Sequence, residues 1–124
     1  MRKRIFALVV ALSALISSTC VFSATQSKVI TVREGASIQA AVKLANPGDT
    51  IEVYPGLYKE TVYIDKNDIT IRGVVVAGEW PVMDGEDTLN DGILVAGHGV
   101  TVDRFFIRRF KGNGIMTQGA NNYK

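Results

Sequence analysis

Short apolar segments with alternating polar positions make up most of the chain after residue 27. Residues 28–33 are rich in Val and Ile, which favours a strand. Ser37 then offers a good helix N-cap, and apolar residues follow it at the i, i+3, i+4 and i+7 spacing of a helix. These residues are Ile38, Ala41, Val42 and Ala45. Asn46-Pro47-Gly48 ends the pattern, so the sequence predicts one helix from Ser37 to Ala45.

The strand pattern after this helix repeats with an offset of 31 residues. The matched pairs are Ile51 with Val82, Val53 with Asp84, Val62 with Ile93, Ile64 with Val95, Ile69 with Val100 and Ile71 with Val102. Each unit has three short strands separated by turns, and a third unit begins near Phe105. Because no Asn-Gly hairpin turn joins neighbouring strands within the first two units, each strand is expected to pair with its equivalent in the next unit.

This pattern predicts an all-β fold, a right-handed parallel β-helix (a solenoid) of about two to three coils with a short N-terminal capping α-helix. A small antiparallel β-sandwich is the alternative, which a long fixed offset does not explain. The last coil begins at residues 112–117 and reaches residue 124 without a capping helix. We therefore expect the fold to be incomplete at the C-terminus, to expose Ile115, and to self-associate through this open coil.

The first 23 residues follow the order of a secretory signal. Three basic residues precede an apolar run from Ile5 to Ile16, and small and polar residues continue to Ser23. The run is shorter than the roughly 20 residues that a membrane-spanning helix needs. We predict a signal peptide over 1–23, a domain over 24–124, a secreted or periplasmic location and no membrane contact after cleavage. Cys20, the single cysteine, would be removed with the signal.

Charge narrows the classes of partner. The chain has 14 Lys and Arg against 12 Asp and Glu, but three of the basic residues lie in the signal, so the mature chain has no electrostatic basis for nucleic-acid binding. Basic residues concentrate near the C-terminus among phenylalanines. The candidate substrate-binding residues are Arg104, Arg108, Arg109 and Lys111, which would pair with an acidic polysaccharide. In the alternative, Phe105, Ile107 and Phe110 point inward and the arginines only cover the surface.

Acidic residues cluster between positions 84 and 91. The candidate metal ligands are Asp84, Asp87 and Asp91, because calcium prefers carboxylate oxygens. Their spacing is not that of an EF-hand loop, and a solvated acidic loop is the alternative. The single histidine, His98, stands between two glycines and is expected in an exposed turn.

Several segments carry a resemblance to a known family. They are Ser37-Ile38-Gln39-Ala40-Ala41-Val42, Pro47-Gly48-Asp49-Thr50-Ile51, Pro55-Gly56-Leu57-Tyr58-Lys59-Glu60 and Ile69-Thr70-Ile71-Arg72-Gly73. In this order they resemble the N-terminal cap and first coil of the pectin-lyase-like superfamily of right-handed parallel β-helices. The resemblance implies a protein that binds or modifies acidic polysaccharide, as a lyase, esterase or epimerase, and calcium is a frequent cofactor of such lyases.

A complete active site is not expected in this chain. Glu86-Asp87-Thr88-Leu89 resembles the Gln-Asp-Thr-Leu segment of pectinesterases, in which the aspartate is catalytic. Here Glu86 replaces the glutamine, and the companion Asp-Phe-Ile-Phe-Gly segment is missing. The sequence thus predicts no catalytic residue and an N-terminal fragment of a β-helix protein. The competing class is a non-enzymatic structural or adhesive β-helix of the cell surface or periplasm.

Overall fold

The computed structural model describes residues 26–124. The predicted signal peptide lies outside the described residues. Within the part that is described, no helix has the length and apolar character needed to cross a membrane.

This part of the chain forms ten β-strands and one α-helix. In chain order they are β1 (Val29–Val32), α1 (Ile38–Leu44), β2 (Thr50–Val53), β3 (Gly56–Tyr58), β4 (Val62–Ile64), β5 (Thr70–Gly73), β6 (Pro81–Asp84), β7 (Ile93–Val95), β8 (Thr101–Asp103), β9 (Phe106–Arg108) and β10 (Ile115–Thr117).

The strands form three parallel sheets that wind into a parallel β-solenoid of about four turns. Sheet A has the order β1-β2-β5-β8, sheet B the order β3-β6-β9, and sheet C the order β4-β7-β10. The predicted fold class is confirmed. The number of turns exceeds the two to three that were expected, because β1 and α1 together form a turn of their own before the first complete three-strand coil.

The predicted offset of 31 residues is correct for β4 with β7 and for β5 with β8, and it is wrong for β2. Val62 pairs in register with Ile93, and Ile71 pairs with Val102, as the 31-residue offset predicts. Ile51 instead pairs with Ile71, only 20 positions later. The coils differ in length because the loops on both sides of β6 are long: residues 74–80 precede it and residues 85–92 follow it, whereas two and three residues flank β3.

Apolar side chains at alternate strand positions fill the interior of the solenoid. The fully buried ones with the largest volume are Ile38, Ile51, Ile64, Ile69, Ile71, Met83, Ile93, Val42, Val53, Val62, Val95 and Val100. In β2, for example, Ile51 and Val53 are buried while Thr50 and Glu52 face outward. The helix contributes its predicted apolar stripe and lies against β1, β2 and β4, so it covers the first complete coil.

Opposite charges hold the two ends of α1. The carboxylate of Glu60 accepts hydrogen bonds from the backbone N–H groups of Ile38 at 2.7 Å and Gln39 at 3.3 Å. Ser37 is the N-cap, as predicted, and its hydroxyl donates to the same carboxylate at 2.8 Å. At the other end the ammonium of Lys66 donates to backbone carbonyl groups of the last turn. The accepting residues are Val42, Lys43 and Ala45. Both contacts complement the helix dipole.

The opposite end of the solenoid is open. Ile115 is 48% exposed, as predicted, and a cavity of about 350 Å³ lies beside it, between β8 and the C-terminal residues. Lys124 pairs its backbone with Val100 and Val102 and covers part of the β8 edge. In the described residues β9 and β10 each pair with one neighbouring strand only. Self-association through this end stays a prediction.

Candidate ligand-binding groove

An apolar row runs across the outer face of sheet B. Leu57, Val82 and Phe106 occupy equivalent positions on β3, β6 and β9 and stand beside each other in register. Leu57 is 39% exposed and Phe106 57% exposed. The inward neighbours Tyr58 and Met83 already supply the core at this point. Outward positions of a solvated sheet are ordinarily polar, so this row suggests a surface that contacts something else.

The long loop before β6 places an exposed tryptophan next to this row. Val76 and Glu79 exchange backbone hydrogen bonds of 3.1 and 2.9 Å and close a tight turn, in which Ala77 and Gly78 both adopt positive φ angles. The chain then returns to the sheet through Trp80, which is 44% exposed. The loop therefore adds a large aromatic surface to the outer face of sheet B.

These side chains line a continuous groove along the solenoid axis, which we call the sheet B groove. It consists of two adjoining hollows of about 610 and 450 Å³ that share Trp80 and Val82. The first hollow is lined by Gly78, Trp80, Val82, Phe106 and Arg108. The second is lined by Glu34, Pro55, Gly56, Leu57, Glu79, Trp80 and Val82. The groove is thus apolar in the middle, basic at the Arg108 end and acidic at the other end.

A buried ion cluster fixes the basic end. Asp84 is fully buried, and Arg109 donates to both of its carboxylate oxygens, from Nε and Nη2, at 2.8 Å each. Arg108 donates from Nε at 3.0 Å, and the backbone N–H of Glu86 adds a bond of 2.9 Å. The Arg109 guanidinium is the main reason that the pKa of Asp84 lies far below its ordinary value of 3.8, and Asp84 in turn raises the pKa of Arg109. Asp87 lies 3.9 Å from Arg109 and offsets part of the second positive charge, so the basic character of this end of the groove rests on Arg108, which lines it.

The structure unites two of the four predicted basic residues. Arg108 and Arg109 share Asp84, and both side chains are about half exposed. Arg104 precedes β9 and pairs with Asp103 at 3.0 Å, whereas Lys111 follows β9 in the next corner. The four side chains therefore do not form a single patch around the groove, and Arg108 alone lines it.

The phenylalanines divide as the alternative interpretation of this segment predicted. Phe105, Ile107 and Phe110 pack against the core, and Phe106 is left outside with the groove. Phe105 and Phe110 thus belong to the core, and Phe106 lines the groove together with Arg108. Phe106 and Arg108 both lie on the outer face of β9, and Ile107 between them points inward.

The three candidate calcium ligands do not gather into a site. Both carboxylate oxygens of Asp84 already accept hydrogen bonds from Arg108 and Arg109. Asp87 is 75% exposed and lies 3.9 Å from Arg109. Asp91 accepts a hydrogen bond from the backbone N–H of Asn113 at 2.9 Å. That N–H bond is the main cause of a lowered pKa of Asp91. Within residues 26–124 no group of three His, Cys, Asp or Glu side chains is placed to hold a metal ion. The geometry gives a calcium site no support.

His98 lies in an exposed turn, as expected, but it has a structural partner that the sequence did not reveal. Its backbone N–H donates to the side-chain oxygen of Asn67 at 2.9 Å, and its Nδ1 accepts from the backbone N–H of Asn121 at 3.1 Å. Equivalent turns of three successive coils are thereby linked by side chains. This column connects the corners between sheets C and A.

Sequence reasoning missed most residues of the groove, among them Leu57, Trp80 and Val82. Alternation alone could have placed Leu57 and Val82 outward, since Tyr58 and Met83 flank them with opposite orientation. Their alignment into a row with Phe106 was hidden because the offset across sheet B is 25 positions from Leu57 to Val82 and 24 from Val82 to Phe106. The fixed offset of 31 therefore passed over them.

Comparisons with known proteins returned nothing for this chain: no protein-family model matches it, and no curated protein or solved structure is significantly similar to it. The class that the fold defines is a parallel β-solenoid.

Proposed function

We propose that the domain binds an acidic polysaccharide in the sheet B groove, and that it belongs to a secreted protein of the pectin-lyase-like kind. The observation that carries the proposal is the exposed apolar row, bordered by Trp80 and ending at Arg108. Ring faces of sugars carry C–H groups that pack on aromatic surfaces, and a guanidinium pairs with a carboxylate in a planar, bidentate manner.

The geometry of Arg108 suits this task. Its Nε is committed to Asp84, which holds the guanidinium in one orientation. The side chain is nevertheless half exposed and lines the groove, so its terminal nitrogens remain available to a ligand. Preorganisation of this kind lowers the entropy lost when a ligand binds. Asp84 and Arg109 are accordingly positioning residues.

The length of the row matches an extended chain better than a compact ligand. Neighbouring strands lie about 4.8 Å apart, so the row on three coils spans about 10 Å. Sugar rings of a polysaccharide could face the successive coils in sequence. The groove residues offer a stacking surface and an ion-pairing guanidinium, and both of these serve binding.

Export is part of the proposal and rests on the signal-like order of residues 1–23. Mass spectrometry of the chain exported from a bacterial host should give an N-terminus near Ala24. An intact Met1 on the exported protein would contradict this part of the proposal.

Trp80 provides a direct test of binding because it is the only tryptophan of the chain. Its fluorescence should change and saturate when the protein is titrated with acidic oligosaccharides. Phe106→Ala and Arg108→Gln should each weaken binding by about tenfold, the loss expected for one stacked ring or one ion pair.

Matched controls exist on the other two sheets. Tyr63→Ala removes an exposed aromatic side chain from sheet C, and Arg72→Gln removes an exposed arginine from sheet A. Both variants should bind as the unaltered protein does. Absence of any fluorescence change with acidic and neutral glycans would reject the proposal and favour the structural or adhesive alternative, in which the apolar row contacts a protein.

A further inference from the structure

We infer that the sheet B groove selects a sparsely acidic polysaccharide, in which one acidic sugar at Arg108 is followed by neutral sugars toward Glu79 and Glu34. This inference rests on the proposed function and specifies its ligand. It follows from the unequal charge of the two ends of the groove.

The acidic end is built from two carboxylates on different segments. Glu34 follows β1, and Glu79 closes the turn before Trp80; both line the hollow that contains Leu57. In the described residues neither one belongs to an ion pair. A polymer with a carboxylate on each ring would bring a negative charge next to both of them.

The position of Glu34 is fixed by close packing on β3. A Cβ atom at Gly56 would come within 2.7 Å of the Glu34 Cβ, so only glycine allows the glutamate to lie here. Glu79 is held by the two backbone hydrogen bonds of its turn. The backbone at Glu34 and at Glu79 is therefore held in place and does not shift away from a bound ligand.

The nearest positive group offsets only part of this charge. Arg33 lines the adjacent hollow together with Glu34 and Glu79, and its guanidinium lies 4.0 Å from the centre of the Tyr54 ring. One arginine thus faces two glutamates. The net charge at this end remains negative.

Neutral sugars fit the acidic end for a positive reason as well. Their hydroxyl groups are hydrogen-bond donors, and ionised carboxylates accept such bonds strongly. A ring over Leu57 could donate to Glu34 and Glu79, while the ring at Phe106 directs its carboxylate to Arg108. Like charges at a partly solvated site disfavour the fully acidic chain by about threefold to tenfold.

The test compares three oligosaccharides of four sugars by Trp80 fluorescence at low salt. They are a xylotriose carrying one glucuronic acid, an unsubstituted xylotetraose, and tetragalacturonate. The singly acidic compound should bind most tightly, and tetragalacturonate should bind at least threefold more weakly. The double variant Glu34→Gln, Glu79→Gln should raise the affinity for tetragalacturonate, whereas Glu52→Gln on the outer face of sheet A should not.

The outcomes separate the two proposals. Tightest binding of tetragalacturonate by the unaltered protein, or no gain in the double variant, would overturn the inference and leave polysaccharide binding intact. No binding of any of the three compounds would reject the proposed function itself.

Discussion

The side-chain amide of Gln39 pairs with both backbone groups of Tyr63. Its Oε1 accepts from the Tyr63 N–H at 2.6 Å, and its Nε2 donates to the Tyr63 carbonyl at 3.2 Å. Tyr63 is the central residue of β4, the edge strand of sheet C that lies next to α1. A single side chain of α1 thus makes the contacts that a neighbouring strand would make. Covering an edge in this way protects it from pairing with another chain.

Loss of this pairing should destabilise the domain. Gln39→Met keeps the length and helix propensity of the side chain but removes both hydrogen bonds, and we expect a loss of about 1 kcal/mol in the free energy of unfolding. Lys43→Met on the same helix serves as the control, because the Lys43 side chain is exposed. Urea denaturation of both variants checks this. Equal losses in the two would mean that the Gln39 bonds contribute nothing.

The charged contacts at the two ends of α1 should each contribute to stability. Lys66→Met removes the donor to three backbone carbonyls, and Glu60→Gln removes the charge that faces the helix N-terminus. Each should lower the free energy of unfolding by about 1 kcal/mol, as other helix caps do. Asp65→Asn, an exposed position between them, should change it by less than about 0.5 kcal/mol. Thermal melting distinguishes these results.

Acid should unfold the domain through its paired carboxylates. The pKa of Asp84 is lowered mainly by Arg109, and the pKa of Asp49 mainly by the backbone N–H of Lys28. A carboxyl group with a lowered pKa stabilises the fold fully above its unfolded value of 3.8, and this contribution is lost as the pH falls below it. We therefore expect the melting temperature to be steady near neutral pH and to fall steeply below about pH 4.

Asp84→Asn identifies the main source of that acid sensitivity. The variant should melt at a lower temperature at pH 7, because two guanidinium groups lose their shared carboxylate. Its melting temperature should then change less between pH 5 and pH 3 than that of the unaltered protein. Asp87→Asn, 75% exposed, should preserve the normal profile. An unchanged acid slope in Asp84→Asn would show that other groups control it.

The column of turns makes a prediction about His98. His98→Ala removes the acceptor for the Asn121 N–H, which should loosen the C-terminal segment. His98→Asn provides a side-chain oxygen like that of Asn67 in the preceding coil and should restore much of the bond. Hydrogen exchange of the Asn121 amide should be faster in the alanine variant and close to normal in the asparagine variant. Equally fast exchange in both variants would show that the side chain at position 98 does not hold the Asn121 amide.

Local sequence patterns were sufficient to predict α1 and most of the strands, but β3 was not among the predicted strands. The helix α1 begins at the N-cap Ser37 and packs through apolar residues that lie within the same short segment. The burial of strand residues follows from the alternation of apolar and polar positions. Register depends on loop length, which has no comparable pattern. Ile51 was matched with Val82 instead of Ile71 because the longer loops around β6 change the coil length from one turn to the next.

The candidate site was harder to predict, since its residues come from distant segments. Arg108 was found because it stands in a dense basic segment, but its partner Asp84 lies 24 positions away and was interpreted as a metal ligand. Trp80 lies in a loop without periodicity, so no pattern marked it. Only the stacking of coils brings Trp80, Leu57 and Phe106 to one groove.

Mapping of the binding surface by two-dimensional NMR tests the central claim most directly. The singly acidic xylotriose should be titrated into ¹⁵N-labelled protein while the Trp80 indole N–H and the backbone amides are followed. The account predicts shifts confined to the sheet B groove, largest at Trp80, Phe106 and Arg108, with Arg72 and Tyr63 on the other sheets unmoved. Shifts centred on sheet A or sheet C, or none at saturating ligand, would contradict it.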